Sequence, residues 1–233
     1  MKMTTNAIKI IRDFDFEEDV QVVYANLCYG LRELDPPWGL KGVDIRPLKV
    51  RPDWPDNGVT YRPKGGVKEL GISFSNRNHR KDSDIVERLE DYISVEFNTY
   101  RTSLDLRHVF NHVIPCYIRA FDAYFASLLD VDVLVRQKER LWELPREEHN
   151  QILKQNKPRK KGLTNIWQVN YWASEQCSNY FGLTPGQVVN AVRGQVARAD
   201  VLEGGAYIVV SYDPMSTDEV ELITPKLMPL LRK

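Results

Sequence analysis

Between Leu106 and Leu128 the chain carries apolar residues at Leu106, Val109, Phe110, Val113, Ile114, Tyr117, Phe121, Tyr124, Phe125 and Leu128, a spacing that keeps them on one face of an α-helix. A stripe of that length must be buried against other elements, so it predicts a long central core helix around which the fold is built. Pro115 falls on the opposite, polar side. It predicts a kink, or a break between two consecutive helices, because its missing N–H removes a rung of the helical ladder.

The surrounding segments divide by period. Asp15 followed by Glu18 is an N-cap pattern, and the acids of residues 13–19 suit the first turn of a helix with its face on Phe16, Val20, Val23, Tyr24, Leu27, Cys28 and Leu31. That helix stops at Asp35-Pro36-Pro37-Trp38-Gly39, and a Pro-rich excursion continues to Asp56-Asn57-Gly58. Leu70, Ile72 and Phe74 alternate as a strand. Ser83 can cap a following helix with its face on Ile85, Val86, Leu89, Tyr92, Ile93 and Phe97. Further helix is expected over residues 131–142 and 147–154.

The last third changes character. Residues 166–172 read as a strand, residues 174–181 as a short helix closed by Gly182, and Thr184-Pro185 as the cap and first position of a helix reaching about Arg193. Residues 196–202 and 206–212 flank Glu203-Gly204-Gly205 as a hairpin. Pro225 and Pro229 mark a tail that forms a short helix or an extended cover. Together these readings predict an α+β fold: a helical layer with a long central helix, packed on a small, mostly antiparallel sheet. A single domain over residues 1–233 is expected, with a possible seam at 154–162 between a helix-rich part and a C-terminal α/β part.

Charge narrows the function. Lys plus Arg equals Asp plus Glu at 32 each, so no chain-wide positive field gathers a nucleic-acid backbone or an anionic membrane. Lys9, Arg12 and Asp13 interrupt the Ile8, Ile10, Ile11 cluster, which argues against a signal peptide, and no apolar run approaches the roughly 18 residues of a membrane span. The cysteines, Cys28, Cys116 and Cys177, are an odd number without close pairing and read as buried thiols of a reducing, cytoplasmic compartment.

Catalytic templates are mostly missing. His108 and His112 lie four apart, so both imidazoles can reach one ion, with Asp105, Arg119 and Asp122 nearby on the polar face. Val109 stands where a His-Glu-x-x-His motif requires glutamate, and a solvated helix surface is the plainer account. Cys116, four residues further on, turns toward the apolar border. The chain has no Gly-x-Ser-x-Gly elbow, phosphate loop, dinucleotide fingerprint, Cys-x-x-Cys, or acid-x-Lys pair. No cofactor is expected.

Two features suit a partner instead. The run at 154–161 carries Lys154, Lys157, Arg159, Lys160 and Lys161 without an acid; it is either a solvated linker or a landing site for phosphates or an acidic protein. Trp38 and Trp54 either pin the long loop to the body or present an aromatic surface, since Trp is enriched at binding hot spots.

Ile166 to Trp172, Cys177, Phe181-Gly182-Leu183-Thr184-Pro185 with Val188-Val189, and the Gly204-Gly205 hairpin give residues 163–210 their pattern. On these residues the chain resembles immunity proteins encoded beside bacterial polymorphic and contact-delivered toxins. The resemblance implies a cytoplasmic, non-catalytic protein that binds and neutralises one cognate protein toxin. Immunity families share neither a fold nor binding residues, so it transfers no site. The expected partner-binding residues are therefore those the sequence offers: Trp38, Trp54, Lys157, Arg159, Lys160 and Lys161. Membrane and nucleic acid are not expected partners. The alternative is a metal-dependent hydrolase or nucleic-acid-acting enzyme using His108 and His112.

Overall fold

A computed structural model describes residues 5–51, 53–54, 56–77, 90–98, 104–145, 147–148 and 165–232. Its centre is an eight-stranded sheet in the order β2-β3-β4-β1-β5-β6-β8-β7. The strands are β1 (Thr5–Arg12), β2 (Asp56–Tyr61), β3 (Val67–Ser75), β4 (Asp91–Asn98), β5 (Phe125–Asp130), β6 (Val169–Trp172), β7 (Arg198–Leu202) and β8 (Gly205–Val209). Neighbouring strands pair antiparallel throughout. The fold is α+β, but the sheet is not small and the central element is a strand. Ile8 in β1 faces Val95 of β4 on one side and Leu128 of β5 on the other.

Two apolar layers flank the sheet. One joins Ile8, Ile72, Val95 and Leu128 to α1 (Val20–Leu31) and α2, which comprises Leu106–His108, a π turn Val109–Val113 and Ile114–Ala120. The other joins Trp172, Ala206 and Ile208 to α4 (Ser174–Phe181), α5 (Pro185–Val192) and α6 (Thr217–Leu231), with Val133 of α3 (Val131–Trp142). In β5 the alternation is explicit: Ala126 and Leu128 enter the first layer, while Phe125 and Leu129 pack against the second.

The expected central helix is therefore shorter than its stripe. It ends at Ala120 in a Schellman motif, with the Ala123 N–H donating to the Ile118 carbonyl at 3.0 Å, the Asp122 N–H to Arg119 at 3.3 Å, and Asp122 at φ 48. The stripe continued only because β5, apolar on both faces, also satisfies a helical template. Nor does Pro115 kink the helix from a polar side; it is buried. The Ile114 N–H reaches back five residues to Val109, and the Phe110 carbonyl thereby released accepts the Tyr207 hydroxyl at 2.6 Å.

Other corrections follow the same logic. Tyr92, Ile93 and Phe97, expected on a helix, lie in β4, where Ile93, Val95 and Phe97 alternate into the core; residues 83–89 of that expected helix lie outside the described residues. Helix α1 begins at Val20, capped by Asp19, whose carboxylate accepts the Gln21 N–H at 2.8 Å. Asp15 instead closes a local turn onto the Glu17 N–H. The tail is a full helix containing both Pro225 and Pro229, started by a Ser216–Glu219 capping box.

The local expectations of the last third hold in kind, though the strand expected over 166–172 begins only at Val169 and the hairpin arms are 198–202 and 205–209. Gly182 closes α4 at φ 67, and Thr184 with Gln187 forms a capping box on α5. Glu203 and Gly204, both at positive φ, form the two-residue turn between β7 and β8. Among the described residues no helix is long and apolar enough to cross a membrane.

Candidate functional site

Among the described residues strand β2 is an edge of the sheet, and the Pro-rich excursion folds back beside it. Buried polar side chains fix that return. The Tyr24 hydroxyl donates to the Arg46 carbonyl at 2.6 Å, and the Arg46 N–H donates to the Tyr61 hydroxyl at 3.1 Å; the two phenols lie 2.9 Å apart. Burial, then the bond to Tyr61, raises the Tyr24 pKa far above its usual value, so the phenol keeps its proton. Further along, Leu48 is buried and its carbonyl accepts the Gln21 side-chain amide at 2.9 Å. Asn57 accepts the Arg51 N–H at 2.6 Å, and the Asn76 side-chain amide donates to the Arg51 and Trp54 carbonyls at 3.1 and 2.7 Å. Asn57 and Asn76 are themselves buried, so the loop is tied to the core at both ends.

Between loop and strand lies a groove of about 530 Å³, within the volume range of ligand sites. Arg46, Lys49, Arg51 and Trp54 line one side; Asp56, Gly58 and Thr60 of β2 line the other. The Arg51 guanidinium sits 4.6 Å from the Trp54 ring centre, and that indole remains 55% exposed. Arg46 donates to the Thr60 carbonyl at 2.7 Å. Among the described residues, none of the three cations is in an ion pair. Their charge is thus available to an incoming anion.

The two tryptophans separate. Trp38 is in the core, 5.2 Å edge-on from Phe97, and its carbonyl accepts the Tyr117 hydroxyl. Only Trp54 lines the groove. Lys157, Arg159, Lys160 and Lys161 lie outside the described residues. Arg46, Lys49 and Arg51 are the additions that the sequence reading missed. Their signal was the alternation of Lys49 and Arg51 about Val50 in an extended segment, which places two cations on one side.

The histidine pair is built differently. The rings of His108 and His112 are 5.2 Å apart and exposed, and the Asp105 carboxylate accepts the His108 N–H as a helix cap. Arg119 pairs instead with Glu203 at 2.9 Å, and Asp122 has left the helical face for its cap position. Cys116 is buried, and burial pushes its thiol pKa up. Among the described residues no three His, Cys, Asp or Glu side chains converge as a metal site.

A second charged cluster lies at the far end of β1. Asp91, wholly buried, is bracketed by Arg77 and Arg12, and Arg12 also pairs with Glu18. The opposite charges pair with one another, although the buried Arg77 Nε has no hydrogen-bond partner among the described residues, and the pairing marks this as a structural network.

The chain matches no protein-family model and no curated protein. Among solved structures it is similar to the Pseudomonas aeruginosa T6SS protein PA0821, at 10% identity and a TM-score of 0.49, over 99% of this chain and 73% of that one.

Proposed function

We propose that this chain is a non-catalytic binding protein that neutralises a cognate bacterial toxin in the cytoplasm. The observation that carries the reading is the groove beside β2, where an exposed indole and three cations stand on a loop held by buried hydrogen bonds. Trp and Arg are the residue types that dominate binding energy, and a fixed frame lowers the entropy lost when a partner docks. The sequence resemblance of residues 163–210 to immunity proteins supports a toxin as that partner.

The test is co-expression with the product of the adjacent gene. A growth-arresting product that is silenced by this chain and purifies with it in fixed stoichiometry is the expected result. A neighbour that neither harms cells nor co-purifies removes the reading.

A further inference from the structure

We propose that the groove receives an extended acidic segment of the partner, which adds to the free edge of β2 as a short additional strand. This rests on the binding reading above and gives the partner its chemistry.

The backbone of β2 supplies the first argument. Thr60 directs its carbonyl away from β3, toward Arg46. In an antiparallel pair alternate residues turn both backbone groups to the same side, so Gly58 and Asp56 share that outward direction, while Asn57, Val59 and Tyr61 face β3. Among the described residues nothing bonds to the outer N–H and C=O of Gly58. An edge strand usually screens such groups with bulky or charged side chains, and here the central residue has no side chain. It cannot carry one either: a Cβ at position 58 would stand 2.9 Å from the Ile72 carbonyl oxygen. The groove floor is therefore bare peptide, the surface that an added strand requires.

Charge supplies the second argument. Arg46, Lys49 and Arg51 face a single acid, Asp56, across the groove. A strand laid on Gly58 presents alternate side chains toward the loop wall, within reach of those cations, and Trp54 covers its end. Carboxylates are the matching groups. A single-stranded nucleic acid would also meet cations and an indole, but it has no backbone donors and acceptors spaced for a sheet edge.

The experiment uses the intact chain and a blocked peptide alternating glutamate with valine, with binding followed by calorimetric titration and by amide exchange. Saturable binding with slowed exchange at Gly58 and Thr60 is expected. The same peptide N-methylated at alternate backbone nitrogens should bind about tenfold more weakly or worse. Lysine in place of glutamate should abolish binding. Absence of binding by the glutamate peptide, equal binding by its N-methylated form, or tighter binding by oligothymidine would each overturn the proposal. The outcome is separable from the functional reading. A toxin complex that leaves the Gly58 amide unprotected defeats strand addition alone, whereas a protected peptide complex without any toxin partner defeats toxin neutralisation alone.

Discussion

The carboxylate of Asp91 takes both terminal nitrogens of Arg77, at 2.7 and 2.6 Å, in a site where the acid has no exposed surface. The same carboxylate accepts the Ser75 N–H at 3.0 Å and lies 3.5 Å from Arg12. Asp91 thus ties the end of β3 to the starts of β4 and the acidic turn before α1. Removing one member of a buried ion network leaves the others charged and unpaired. Asp91→Ala is expected to lower the unfolding free energy by about 3–5 kcal/mol, seen as a lower urea midpoint. A loss below about 1 kcal/mol would mean that the arginines find water or another acid.

Trp38 and Trp54 should respond oppositely. Trp54→Ala removes an exposed side chain, so stability should stay within about 0.5 kcal/mol of the parent. Partner affinity should fall by about 2 kcal/mol, or roughly thirtyfold, in a calorimetric titration. Trp38→Ala empties a core position beside Phe97 and should cost about 3–5 kcal/mol in stability. The idea fails if Trp54→Ala binds as the parent does.

Asp130 carries a pH signature. Burial raises its pKa above the ordinary carboxylate value, against bonds from the Val133 N–H, the Thr217 hydroxyl and the Asp132 N–H. An acid with a raised folded-state pKa holds its proton more tightly in the native chain. Its contribution is full below the unfolded value of about 3.9 and is lost as pH rises through the folded value. Asp130→Asn keeps a cap oxygen for Val133 and cannot ionise. Its stability relative to the parent should therefore increase from acid to neutral pH in paired urea titrations. A constant difference between the two would refute the assignment.

All three cysteines are free and buried, and burial pushes the Cys177 thiol up to about 11 against an opposing hydrogen bond from the Ala206 backbone. Burial likewise raises Cys28 and Cys116. Since the thiolate is the reactive form, dithionitrobenzoate at neutral pH should label none in the native chain and all in denaturant. Rapid labelling of any one would place it in an open environment.

What the sequence disclosed was local. Gly182 as a helix stop, Thr184-Pro185 as a helix start and the turn at Glu203-Gly204-Gly205 each act within four residues, through a backbone angle or a cap. The sheet's middle was less legible. Ile93, Val95 and Phe97 alternate, but Tyr92, Ile93 and Phe97 also satisfy a helical spacing, and only pairing with β1 and β3 decides between them. The site was hidden for the same reason. Lys49 and Arg51 become groove residues because Tyr24, Asn57 and Asn76 hold their loop against β2, and no periodicity within the loop reports the bonds that Tyr24 and Asn76 make from more than twenty residues away.

Placing β1 between β4 and β5 also sets an order of assembly during synthesis. Ile8 and Ile10 leave the ribosome well before Val95 and Leu128, the residues that will enclose Ile8. Strand β1 thus gains its second neighbour only after about 115 further residues have been made, and a nascent chain carries that edge unpaired until β5 emerges.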